Sequence, residues 1–317
     1  MRQVYLAPME GVTDYVYRNA FRTYFGGVDR YYTPFISPNE THKFTTREFK
    51  EINPEYNDVD TTVPQLMTNQ AQHFIWACDE LKELGYQEVN LNLGCPSGTV
   101  VAKKKGSGFL AYPDELKRFL DQIFQRFQPQ ELGISVKTRI GKTSPEECYE
   151  LMDIFNEFPI KELIIHPRIQ KDFYKEPIRM EYFDICMEQS SNPVCYNGEL
   201  RSKEDILGIT ERYDIPVMLG RGLIGRPSLA MEAKGIGAAD LKSLKPFMNS
   251  MLEEYQSVLS GEKAVLCRMK EFWTFILPNI TNGEKYQKRI QKAQRIVEYK
   301  AIVTELFTKE TYDMIGE

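Results

Sequence analysis

The stretch Glu88-Val-Asn-Leu-Asn-Leu-Gly-Cys-Pro96 decides how the chain folds. Glu88–Leu93 reads as a strand, and Gly94-Cys95-Pro96 ends it with turn residues around one thiol. A helical pattern follows at 114–127. The same unit, a short apolar or β-branched run and then an amphipathic stretch, recurs on both sides. Strand-like runs lie upstream at 4–8, 28–35 and 62–67, and downstream at 133–139, 162–166, 193–196 and 216–219. Helical patterns at 15–24, 70–84, 202–213 and about 228–238 separate or follow them. Another helix is expected to open at Ser144-Pro145-Glu146-Glu147, where serine can cap and the acids suit the helix dipole. Eight strands alternating with helices predict an α/β fold with a parallel sheet, closed as a (β/α)8 TIM barrel.

From 241 onward the strand signals stop, and 246–259, 264–277 and 284–307 read as helices. The expected organisation is a barrel at 1–240 followed by a small C-terminal all-helical domain at 241–317. Composition fits a globular enzyme: 42% of the 317 residues are hydrophobic and 27% charged. No apolar run reaches the roughly 18 residues that a membrane span needs. The first residues run straight into a strand without a signal-peptide pattern, so a cytoplasmic location is expected. The six cysteines form no C-x-x-C pair and there are only three histidines, so neither a disulfide framework nor a metal site is expected.

A net charge of −5 argues, as a total, against a polyanionic partner. The distribution argues the other way. Residues 263–300 carry nine cations against Glu271, Glu284 and Glu298. Such asymmetry is the more informative quantity.

In a barrel of this kind, ligands bind at the carboxyl ends of the strands. The unusual residues of this sequence fall there. The strand ends carry Pro8-Met9-Glu10, Gln65, Asn92 with Cys95, Lys137 with Arg139, His166 with Arg168, Asn197-Gly198-Glu199, and Gly220-Arg221-Gly222. Taken singly, each has an ordinary reading: turn punctuation, a solvated cation, a small core cysteine. Their repeated occurrence at one face is what points to a site. The last two loops offer glycines for close backbone approach and a guanidinium, the ingredients of a phosphate seat. No G-x-G-x-x-G opens a helix after the first strand, so a Rossmann nicotinamide site is not indicated.

Together these motifs resemble the tRNA-dihydrouridine synthases of bacterial type. Ala7–Asp14, Asn92–Ser97 with Lys105-Gly106-Ser107-Gly108, Val136–Gly141, His166-Pro167-Arg168, Asn197-Gly198-Glu199 and Gly220-Arg221-Gly222 occur in family order. Pro167 stands where that family commonly has glycine. The resemblance implies an FMN barrel with a helical RNA-docking domain. That enzyme reduces the C5=C6 bond of specific tRNA uridines, with NADPH as electron source. It places Pro8, Met9 and Glu10 along the flavin, Gln65 in hydrogen bond to it, Lys137 at its N1/O2 edge and His166 close by. Asn197, Gly198, Glu199, Gly220 and Arg221 would hold the ribityl phosphate region. Asn92 would help place the base and Cys95 would protonate it.

The chemistry agrees. Reduced flavin carries negative charge that a fixed ammonium stabilises, and hydride delivery to C6 leaves C5 in need of a proton. A target base in folded RNA must be splayed out and stacked. Tyr174, Arg168 and Arg139 are candidates for that contact. In the tail, Lys285, Lys288, Lys292 and Arg295 are spaced to share one helix face, and Arg268 and Lys270 lie beside aromatic residues. They are the expected tRNA contacts, whereas Trp273 is expected to be a core anchor. Neither a membrane nor a stable protein partner is expected. Two rivals are an FMN barrel reductase of a small pyrimidine-like substrate and a flavin-free RNA-binding barrel.

Overall fold

A computed structural model of the protein describes residues 3–310. Nine parallel strands run in the order β3-β2-β1-β9-β8-β7-β6-β5-β4. They are β1 Val4–Leu6, β2 Arg30–Tyr32, β3 Thr62–Val63, β4 Gln65–Leu66, β5 Glu88–Leu93, β6 Gly133–Gly141, β7 Leu163–Ile169, β8 Val194–Tyr196 and β9 Val217–Leu219. The expected third strand is thus two. Pro64 has no N–H for the ladder, so β3 pairs with β2 while β4 pairs with β5. The two ends of the sheet meet at that proline, which brings the barrel nearly to closure. A bridge from Ile36 to Leu66 adds to the seam.

Every strand apart from the first residue of β2 and Lys137 of β6 is buried, as parallel strands under a helical layer must be. Val89, Leu91 and Leu93 of β5 join the large core between strands and helices. The alternate residues face the barrel axis. Pro167 sits inside β7, where the pairing with β6 jumps from Arg139–His166 to Gly141–Ile169. A bulge absorbs the missing donor. The helix expected from Ser144 starts later, at Glu147, whose carboxylate accepts from the amides of Lys142, Thr143 and Ser144.

Beyond Leu241 the described residues are helical: Leu241–Val258, Glu262–Ile276, Glu284–Lys292 and Ile296–Lys309. Helix Leu241–Val258 lies against helix Tyr15–Tyr24, with the Phe247 ring edge-on to Tyr17, Phe21 and Phe25. The Tyr255 hydroxyl donates to Asp14 Oδ1 at 2.7 Å. Trp273 is fully buried and donates to the Tyr299 hydroxyl at 2.7 Å, a core anchor. No helix among the described residues is long and apolar enough to cross a membrane.

Candidate active site at the carboxyl end of the barrel

A cavity of about 390 Å³ opens at the carboxyl ends of the strands, a size usual for ligand sites. Its wall includes Pro8, Met9 and Glu10 after β1, Asn92 of β5 with Gly94 and Cys95 after it, and Lys137 and Arg139 of β6. His166, Arg168 and Tyr174 line it from β7 and its loop, Asn197–Arg201 after β8, and Gly220, Arg221 and Gly222 after β9.

The loop that carries Cys95 is fixed at nearly every polar backbone atom. Asn92 Oδ1 accepts from the amides of Gly94 and Cys95, both at 3.0 Å. The Gly94 carbonyl accepts from Arg139 Nε at 3.0 Å, and that of Pro96 from Gln170 Nε2 at 3.3 Å. Ser107 donates to the Cys95 carbonyl through its hydroxyl at 2.8 Å and its amide at 3.1 Å. Gly106 is required beside it, because it holds a φ of +54° and a Cβ there would press on the Cys95 carbonyl. Burial raises the Cys95 thiol above its ordinary value, offset in part by the Ser97 amide and the charges of Arg139 and Lys137. The group is a protonated thiol at neutral pH.

Lys137 and His166 illustrate how burial tunes a titratable group. Burial, with the Arg139 charge behind it, lowers Lys137 to about 8. Its ammonium donates to Asn197 Oδ1 at 2.6 Å, while Asn197 Nδ2 donates to the Met218 carbonyl at 2.8 Å. His166 is held neutral by burial and by the charges of Arg139, Lys137, Arg168 and Arg221. Its Nε2 lies 3.2 Å from Arg168 Nη1, which can only donate. The ring proton therefore sits on Nδ1.

Glu199 gathers three guanidiniums. Its Oε1 accepts from Arg168 at 2.8 Å and Arg221 at 3.2 Å, and its Oε2 from Arg201 at 3.2 Å. Five cations line the cavity (Lys137, Arg139, Arg168, Arg201, Arg221) against the carboxylates Glu10 and Glu199. The excess suits an anionic ligand. Side chains are excluded at Gly198, where a Cβ would collide with the Tyr196 ring, and at Gly222, where it would strike the Leu200 carbonyl. Tyr174 is 51% exposed, with Arg221 at 4.6 Å and Arg139 at 5.3 Å from its ring centre. It is the one aromatic side chain of the expected set that reaches the mouth.

Several expected roles change. Gln65 does not reach the cavity wall; it is fully buried beneath Asn92, whose Nδ2 donates to its Oε1 at 2.8 Å. Asn92 lines the wall, yet both ends of its amide are taken by Gln65 and the Cys95 loop. Arg139 is 1% exposed and donates to the carbonyls of Gly94, Ile169 and Phe173, so its N–H edges are not free for a base. Arg168 is likewise committed to Glu176 O, His166 and Glu199. Glu10 is paired with Arg47 at 2.7 Å at the rim.

In the tail, Arg268 donates to the Gly11 carbonyl beside Asp14, and Lys270 caps helix Glu284–Lys292 through the carbonyls of Gln291 and Ala293. Both are structural fastenings. The single helix expected over 284–307 is broken at 293–295, so Arg295 leaves the face of Lys285, Lys288 and Lys292 and pairs with Glu298 at 2.9 Å. Arg201 and Phe275 were not expected at the site. Arg201 lies two residues past the Asn-Gly-Glu run and was within reach of the strand-end rule, whereas Phe275 comes from the helical tail with no local signal.

A parallel barrel with a cation-rich cavity at its carboxyl face is the architecture of a barrel enzyme, and the excess of cations there suits an anionic ligand. Residues 5–312 match the dihydrouridine synthase family model, and the chain belongs to that family. It is 30% identical over 240 residues to a tRNA-dihydrouridine(16) synthase of Pseudomonas syringae pv. tomato, covering 73% of this chain and 74% of that protein. A probable tRNA-dihydrouridine synthase of Staphylococcus aureus strain COL is 26% identical over 314 residues, 95% of this chain and 92% of that protein.

Proposed function

We propose that the chain is an FMN-dependent tRNA-dihydrouridine synthase that uses Cys95 as its proton donor and NADPH as its transient reductant. The observation that carries the reading is the shared cavity. A fixed, protonated Cys95 thiol, the half-buried Lys137 ammonium and the arginine cluster around Glu199 all face it.

These residues fit FMN. Arg221, partly exposed, and Arg201, exposed, retain N–H groups for a phosphate beyond their single contacts with Glu199. Gly198 and Gly222 leave the backbone bare for close approach of a ligand. Lys137 would stand against the negatively charged edge of the isoalloxazine, with Met9 and His166 along the same wall. When bound and reduced, FMN would supply the hydride that uracil takes at C6. The chain supplies the rest: Cys95 Sγ gives its proton to C5, and Tyr174 offers the flipped base a stacking surface. Lys285, Lys288 and Lys292, all exposed, suit tRNA phosphates.

The test is to express the chain in a host stripped of its own dihydrouridine synthases and map dihydrouridine in its tRNA. Dihydrouridine should appear at defined positions, and the purified protein should release FMN, not FAD. Modification that stays absent, with turnover of free uracil or orotate instead, would overturn the reading in favour of a small-molecule reductase.

A further inference from the structure

The inside of the barrel is divided. Tyr5, Ala7, Tyr32, Val63, Ile164, Cys195 and Met218 form an apolar cluster. On the side of β4, β5 and β6 the axis is polar instead. Glu88, Asn90 and Asn92, alternate residues of β5, are buried there with Gln65 and Ser135. They form one unbroken column of hydrogen bonds. Ser135 Oγ donates to Glu88 Oε1 at 2.7 Å, and Asn90 Nδ2 donates to Ser135 Oγ at 2.9 Å. Gln65 Nε2 donates to Asn90 Oδ1 at 2.8 Å, and Asn92 Nδ2 to Gln65 Oε1 at 2.8 Å. At the top, Asn92 Oδ1 accepts from the amides of Gly94 and Cys95.

All these bonds point the same way, and the reason lies at the foot. Glu88 is held by two cations, Arg30 and Lys161. An ionised carboxylate can only accept. Ser135 must therefore give it its one proton, which leaves the serine lone pairs for the NH2 end of Asn90. The carbonyl end of Asn90 then takes the NH2 end of Gln65, and Gln65 in turn takes that of Asn92. The orientation of three side-chain amides is thus dictated from one carboxylate, ~13 Å down the strand at 3.3 Å per residue. The backbone donors of Gly94 and Cys95 demand the same outcome from the other end. A run of apolar residues would fill this space without desolvating polar groups. Such a core could not hold a loop by two directed bonds.

We propose that Glu88, Ser135, Asn90 and Gln65 are positioning residues that lock the Asn92 amide and so hold Cys95 in place. The proposal rests on Cys95 being the proton donor of the site, but its test does not depend on turnover alone. In the FMN-loaded protein, Ser135→Ala removes the relay hydroxyl, and Glu88→Gln gives the foot a donor as well as an acceptor, so the column loses the acceptor-only group that fixes its direction. Neither side chain lines the cavity. The first measurement is the rate of alkylation of Cys95 by iodoacetamide relative to exposed Cys267 in the same sample, read by mass spectrometry. The second is single-turnover reoxidation of the reduced enzyme by tRNA.

Both variants should raise the Cys95-to-Cys267 ratio by about three- to tenfold as the loop loosens and the thiol gains water. Reoxidation should slow about tenfold or more. A ratio within twofold of wild type in a folded variant would show that the column only fills space. Where Ser135→Ala does not fold, Glu88→Gln, which keeps the size of its side chain, decides. A Cys95→Ala enzyme that reoxidises at the wild-type rate would remove the proton-donor reading and leave the alkylation result to judge the column.

Discussion

The barrel mouth and the helical tail both carry many cations, and they use them in opposite ways. At the mouth Arg139 and Arg168 are buried and Lys137 is half-buried, and all three are tied to protein acceptors. In the tail Arg268 and Lys270 are tied down in the same manner, while Lys285, Lys288 and Lys292 stand exposed on one short helix. Burial decides what a cation does. A buried guanidinium must find acceptors inside the protein and so becomes architecture. A partly exposed one such as Arg221, or an exposed lysine, keeps donors for a ligand.

The sharpest way to break that distinction is Arg139→Ala. The change strips three carbonyls of their donor, including that of Phe173, which holds a φ of +51°. At about 1–3 kcal/mol for an unsatisfied buried group, partly relieved by water entering the cavity, stability should fall by roughly 3–5 kcal/mol. Denaturant unfolding checks it; a loss under 1 kcal/mol would return Arg139 to the mouth as a ligand group. Arg221→Ala should act on the ligand instead. FMN affinity should fall by about 1.5–3 kcal/mol, the worth of a charge-assisted hydrogen bond, with little change in unfolding. Equilibrium dialysis of the deflavinated protein measures it.

A pH series sharpens the role of Lys137. Its ammonium is lowered to about 8 in the free cavity, and a bound anion beside it must raise that value. Binding therefore takes up a proton above pH 8. FMN affinity should be full below about pH 8 and fall above it, by at most tenfold per pH unit. Lys137→Met should flatten that dependence. The smallest effect concerns the tail. Replacing Lys285, Lys288 and Lys292 together with glutamine should weaken tRNA binding and lower the salt slope by roughly 0.7–0.9 for each phosphate that is no longer neutralised. Flavin reduction by NADPH should not change. An unaltered slope would make these lysines a solvated face.

The barrel was legible because each strand is a short apolar run with turn residues at its end, and the run at 88–93 matches the observed strand residue for residue. The cavity was legible for the same reason, since its wall is made of strand ends. What stayed hidden was set by distant contacts. Arg139 finds its acceptors 45, 30 and 34 residues away, and nothing local to β6 announces them. The break after Lys292 has no glycine or proline to mark it; Lys270, more than twenty residues upstream, holds the carbonyl of Ala293. The division of the third strand at Pro64 could have been read, since proline lacks the ladder donor.

Protonation of the base by Cys95 is open to direct measurement by single-turnover reoxidation. Cys95→Ala should leave FMN bound and reducible by NADPH, because neither step uses the thiol. The enzyme is reduced, freed of oxygen and mixed with unmodified tRNA, and flavin absorbance near 450 nm is followed. Reoxidation should slow by roughly 10²–10⁴-fold, the scale of losing a general acid. Serine at 95 should restore little, being a far weaker acid than the thiol. Reoxidation of the alanine variant at the wild-type rate would contradict protonation by Cys95: another acid would then protonate C5, and Cys95 would be a packing residue at the cavity wall.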